Sequence, residues 1–139
     1  PLYSSAASDV YKRQLQALNV HWGGTLRDIP GHQLPRGDLV HPTRAEGLMA
    51  RLLGEAPAVT SCHHQAVDRL APPLQAVQWS PDGVVEAAVH RQLPVLGVQW
   101  HPERQSYGLR RADAPGAEAL FAYFAALIGG EPWTDPCGS

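Results

Sequence analysis

Lysine is almost missing from this 139-residue sequence; Lys12 is its single example, and positive charge rests on arginine. Lys and Arg together number 11 against 13 Asp and Glu, for a formal net charge of −2. No basic patch is dense enough to neutralise a phosphate backbone, so a nucleic-acid partner is not expected. Cysteine is equally scarce. Cys62 and Cys137 are the two examples, and two thiols make no disulfide framework. No apolar run approaches the roughly 20 residues that cross a bilayer as a helix, and no secretory leader pattern is present. A cytoplasmic protein without a membrane partner is the expectation. Alanine, arginine, glycine and proline are plentiful instead, a composition that suggests a GC-rich source genome. The length suits one domain with a real core.

What is there centres on Val95-Leu96-Gly97-Val98-Gln99-Trp100-His101-Pro102-Glu103. A short apolar run reads as a buried strand, and Pro102 forbids the ladder from continuing. In open α/β sheets, chemistry collects just beyond the carboxyl ends of strands. A histidine there, with a carboxylate two residues on, has the makings of a general base and its orienting partner. On spacing alone, a surface His-Pro-Glu turn is the competing reading.

The remaining elements follow in order. Residues 1–14 lack any amphipathic period and look like translated sequencing-adapter read-through at the end of a metagenomic assembly; a disordered terminus is the alternative. Leu15 to Trp22 reads as a helix with Leu15, Leu18, Asn19 and Trp22 on one face, stopped by Gly23-Gly24. Asp28 to Asp38 is a loop. Leu39-Val40-His41 is a short strand ended by Pro42, with His41 read as structural. Thr43-Arg44-Ala45-Glu46 fits a capping box for a helix that buries Leu48, Met49, Leu52 and Leu53 and stops at Gly54. Ala58 to Ser61 is another strand. Leu74 to Trp79 and Val84 to His90 form a hairpin around Ser80-Pro81-Asp82-Gly83. Glu86 is either functional or on a solvated strand face. Ala117 to Ile128 is a closing helix whose apolar face holds Leu120, Phe121, Phe124, Leu127 and Ile128. Residues 131–139 are a tail. The partial domain therefore runs over 15–130.

Two further readings attach to Cys62-His63-His64. With His101 these residues would make a zinc set, but adjacent histidines point apart on extended backbone and no second Cys or His stands at metal-site spacing. Cys62 as a nucleophile in its own right is the other. Neither is favoured, and no metal or cofactor is expected.

Three blocks carry a resemblance. Gly97 to Glu103 is similar to a "GVQWHPE" signature, Ser61 to Val67 to an "S-x-HHQAV" block, and Asp82 to Ala87 to a "DG-V-EA" hairpin. In this order they resemble the γ-glutamyl-γ-aminobutyrate hydrolase family, thiol hydrolases of the class I glutamine amidotransferase-like, peptidase C26 type. The resemblance implies the C-terminal part of a flavodoxin-like α/β domain, truncated at the N-terminus, with a doubly wound sheet. It implies a Cys-His-Glu triad acting on a small γ-glutamyl amide, with His101 as base and Glu103 as its orienter. Gln16, His63 and His64 become substrate-binding residues. Leu15 to Leu26 resembles the helix behind the family's nucleophile, and this register puts Lys12 where the cysteine belongs and Gln14 where the elbow glycine belongs. Lysine forms no thioester, so this chain is expected to be inactive. The alternatives are an ammonia-donating glutaminase of a synthase and a non-catalytic binding module. The oligomeric state is not legible.

Overall fold

The computed structural model describes residues 14–32, 34–35, 39–109 and 111–128. Lys12, Arg13, Asp38, Gly129, Cys137 and the tail lie outside them. Helix α1 is described over residues 14–21. Leu15 and Asn19, one turn apart, are buried, while Gln14, Ala17 and Val20 are exposed, the stripe an amphipathic helix needs. Its end is a Schellman motif: Gly23 takes φ +98°, its N–H donates to the Val20 carbonyl at 3.1 Å, and Gly24 N–H donates to the Asn19 carbonyl at 2.7 Å.

The strands fall into three small sheets. β1 (Leu26–Asp28) pairs with β5 (Gln65–Val67). β2 (Leu39–His41) pairs with β4 (Val59–Ser61). β3 (Arg44–Ala45), β6 (Leu74–Trp79), β7 (Val85–His90) and β8 (Leu96–Val98) make a four-stranded sheet in the order β3-β6-β7-β8. Helix α2 spans Gly47–Leu53 and helix α3 spans Glu118–Ile128. Every pairing among the described strands is antiparallel, where a doubly wound sheet is expected to be mainly parallel. For β6, β7 and β8 the connections explain the difference. Parallel neighbours need a crossover of a dozen or more residues, whereas β6 and β7 are joined by a tight turn with Gly83 at φ +84° and its N–H on the Ser80 carbonyl at 2.9 Å.

β7 shows how the layers form. Ala87 and Val89 point into one core with Leu48 and Met49 of α2 and Leu120 of α3. Ala88, between them, points into a second core with Leu15 of α1 and Leu74. Alternation along one strand thus buries both faces, with helices on each side. On β8 the approach of α1 leaves no room for a side chain: a Cβ on Gly97 would stand 3.1 Å from Leu15 Cα. An apolar groove of about 520 Å³ opens beside this contact, lined by Leu18, Val95, Leu96, Val98, Phe121 and Phe124 among others.

One expected cap is replaced. Arg44 and Ala45 are strand, and α2 starts at Gly47 with Glu46 as an extended N-cap that makes no side-chain capping bond. Thr43 is engaged elsewhere. Its hydroxyl donates to the Pro57 carbonyl and accepts from Gln78 Nε2, whose Oε1 in turn accepts from Trp100 Nε1. A buried indole and amide therefore claim the hydroxyl before the helix can.

Candidate active site

Bonding to β7 continues one residue past Val98, and the next donor then changes partners. Gln99 N–H donates to the Glu86 carbonyl of β7 at 2.8 Å, and His101 N–H donates to the Thr60 carbonyl of β4 at 2.8 Å. Pro102 then opens a 3₁₀ turn, Pro102–Gln105, a position where its missing N–H costs nothing. The turn is clamped by Gln105, which is fully buried. Its Oε1 accepts from Thr60 N–H at 2.9 Å and Thr60 Oγ1 at 3.0 Å, and its Nε2 donates to the Ala58 and Pro115 carbonyls.

This turn folds Glu103 back on His101. The His101 Nδ1–Glu103 Oε1 distance is 2.7 Å. A carboxylate only accepts, so Nδ1 carries the proton and Nε2 is left with its lone pair. His101 is fully buried and Glu103 is 31% exposed on its side chain. Nε2 is itself buried and makes no hydrogen bond. Tautomer, orientation and an uncommitted Nε2 are what a general base needs.

Gln16 of α1 reaches the same region. Its Nε2 donates to the Gln65 carbonyl at 2.9 Å and to Gln99 Oε1 at 3.0 Å, so its amide ties β5 to the segment leading into His101. His64 is exposed, and its carbonyl accepts from Ile29 N–H. His63 is turned inward: its Nδ1 donates to the Gln65 carbonyl at 2.9 Å and its Nε2 lies 3.7 Å from Glu86 Oε1. Of the sequence-derived candidates, His101 and Glu103 come together, Gln16 touches the approach to them, His63 belongs to a neighbouring cluster, and His64 faces solvent. The Cys62, His63, His64 and His101 zinc set is not the group that converges. Cys62 is a free thiol of intermediate exposure.

The neighbouring cluster is built on Glu86 of β7, which is fully buried rather than on a solvated face. His32 Nδ1 lies 3.2 Å from Glu86 Oε1 and His41 Nε2 3.6 Å from it. His32 Nε2 meets Asp82 Oδ2 at 2.8 Å. His41, read above as structural, holds Ser61 Oγ at 2.7 Å through Nε2 and the Pro42 carbonyl at 3.0 Å through Nδ1. The Glu86 carboxylate, aided by Asp82, raises the His32 pKa against the opposing effect of burial. Burial is the largest influence on Glu86 and pushes its carboxyl up, yet His32, His63 and His41 together hold it below its ordinary value. For Asp82, burial again acts upward, but Ser80 and His32 bring it down to about 2. Sequence reasoning missed His32 and Asp82 as site residues and left Glu86 undecided. The available signal is Glu86 itself, a lone carboxylate inside the apolar run Val84-Val85-Glu86-Ala87-Ala88-Val89, since unpaired charges are rarely buried.

A layered α/β fold with a His-Pro-Glu turn at the end of a strand defines a class, the class I glutamine amidotransferase domain. This chain spans about half of such a domain. A glutamine amidotransferase crystal structure from Thermotoga maritima superposes with a TM-score of 0.53 at 15% identity, over 89% of this chain and 51% of that one. The chain belongs to the Peptidase C26 family, whose model matches residues 12–103. Protein NtpR of Enterococcus hirae is 37% identical over 129 residues, covering 81% of this chain and 51% of NtpR. The γ-glutamyl-γ-aminobutyrate hydrolase PuuD of Escherichia coli is 44% identical over 70 residues, 47% of this chain and 28% of PuuD. The chain thus spans about half the length, or less, of these curated relatives. No helix among the described residues is long and apolar enough to cross a membrane.

Proposed function

We propose that this chain carries the base half of a thiol hydrolase acting on small γ-glutamyl amides. The observation behind the reading is the 2.7 Å His101–Glu103 contact with a buried, uncommitted Nε2. In the reaction, a cysteine thiolate adds to the γ-carbonyl carbon, and backbone N–H groups hold the resulting oxyanion. The C–N bond breaks as the amine leaves with a proton from the His101 imidazolium. Water then gives a proton back to His101 as it attacks the thioester, releasing glutamate and the thiolate. Glu103 holds the imidazole in register throughout. The register of the resemblance puts Lys12 at the nucleophile position, so the chain as given does not turn over. Similarity to PuuD supports the hydrolase reading, and similarity to glutamine amidotransferases supports an ammonia donor as the second reading.

The test is a chimera in which residues 15–139 follow the N-terminal half and cysteine of a relative. The 139-residue chain should leave a γ-glutamyl anilide intact, and the chimera should cleave it. His101→Ala in the chimera should lower kcat by about 10⁴-fold, with a smaller loss for Glu103→Gln. Near-normal kcat in His101→Ala would remove His101 from the mechanism. Iodoacetamide-sensitive turnover by the unmodified chain would move the chemistry to Cys62.

A further inference from the structure

The cluster around Glu86 has a charge problem that the protein's own hydrogen bonds leave open. His63 Nδ1 faces the Gln65 carbonyl, so Nδ1 must carry the proton. His32 Nε2 faces the Asp82 carboxylate, so Nε2 must carry the proton. His41 Nδ1 faces the Pro42 carbonyl, with the same result. In each neutral ring the other nitrogen therefore bears a lone pair, and in each it is this nitrogen that lies nearest Glu86 Oε1, at 3.2, 3.6 and 3.7 Å. While the rings are neutral, the lone pairs of His32 and His63 face the buried carboxylate and repel it, whereas that of His41 is shared with the Ser61 hydroxyl at 2.7 Å. His32 Nδ1, His63 Nε2 and both Glu86 oxygens are buried without a hydrogen bond, and orphaned buried groups of this kind are costly.

We propose that His32, His41, His63 and Glu86 form a binding site for a divalent transition-metal cation of the zinc class. The ligand atoms of His32, His41 and Glu86 lie within 4.8 Å of one another, and His63, outside that group with Nε2 3.7 Å from Glu86 Oε1, must swing in to serve as the fourth ligand. Ligands of a tetrahedral zinc at about 2.0–2.1 Å stand about 3.3 Å apart, close to the observed approaches to Glu86 Oε1. Three imidazoles and one carboxylate are a donor set that suits zinc. The outer contacts fit as well. Metal-bound histidines regularly donate their second N–H to a carboxylate or a backbone carbonyl, which is what Asp82, Gln65 and Pro42 provide here. The ligands come from the segment after β1, from β2, from the β4–β5 link and from β7, so a bound ion would tie all three sheets together.

The chain, stripped with a chelator, should take up one equivalent of zinc chloride in a calorimetric titration. Cobalt(II) should give the intense visible bands of a tetrahedral site without a thiolate charge-transfer band, which sets Cys62 aside. Glu86→Gln keeps the shape of the side chain and should weaken zinc binding at least about 100-fold, as should His32→Ala. His64→Ala, at an exposed position, should bind as the parent does. Failure of the unsubstituted chain to bind zinc or cobalt overturns the proposal and leaves a protonated His32 as the answer to the charge problem. Zinc binding of equal strength in Glu86→Gln and His32→Ala also overturns it, because the ion then sits elsewhere.

Discussion

Asn19 illustrates what one buried amide does for this molecule. Its Nδ2 donates to the Thr25 and Arg69 carbonyls, both at 3.1 Å, and its Oδ1 accepts from Ala71 N–H at 2.7 Å. A helix, the loop after it and the segment after β5 thus meet on one side chain. Asn19→Asp keeps the size but loses both donated bonds and buries a charge beside two carbonyls. Each unsatisfied buried group costs about 1–3 kcal/mol, so urea denaturation should show a loss of about 3 kcal/mol or more. The residue scale also marks the limit of sequence reading. His101 and Glu103 are legible because they lie two positions apart and a proline fixes the turn between them. His32 and Asp82 are 50 positions apart, and only the packing of separate sheets brings them together. Local spacing carries no trace of such a pair. Asn19 could be placed on the buried face from periodicity, but its three partners could not.

Among the elements, the 3₁₀ turn after β8 depends most on a single side chain. Gln105→Ala would strip partners from Thr60 N–H and from the Ala58 and Pro115 carbonyls. We expect a stability loss of about 3 kcal/mol by denaturation. In an active chimera, kcat should fall by about 10²-fold with little change in KM, because the base is displaced while the substrate contacts remain. An unchanged kcat would show that Thr60 and Glu103 hold His101 without the clamp. Most elements follow from the sequence because their stops are local. Gly23, Gly54, Gly83 and Pro102 end or turn the chain where the backbone demands it. The Thr43 capping box fails for a non-local reason: the hydroxyl is drawn to Gln78 and Pro57, which no four-residue window contains.

At the scale of the whole molecule, β8 is the exposed flank. Among the described residues it pairs with β7 alone, and the apolar groove lies beside it. Leu96 and Val98 are each 5% exposed, so the groove shows the edges of packed side chains over an open ladder. Unpaired, unblocked strand edges beside apolar surface promote association. The isolated chain should sediment as a mixture of associated species and bind a hydrophobic dye. A monomer with one sharp unfolding transition would contradict this. The layered class was legible from the ordered motifs and the alternation of apolar residues. The antiparallel β6-β7-β8 pairings follow from short connections, whereas β1-β5, β2-β4 and β3-β6 pair strands distant in sequence, which no local signal announces.

The change of partners after Gln99 has a consequence for anyone who would rebuild this protein. Gln99 is fastened to β7 and His101 to β4, which lie in different sheets. The imidazole therefore cannot be grafted with either sheet alone. A residue inserted or deleted between Val98 and Pro102 throws it out of step with one anchor or the other, since a one-residue slip reverses the face a strand residue presents. Transplanting the base means transplanting both sheets, with the spacing between them intact.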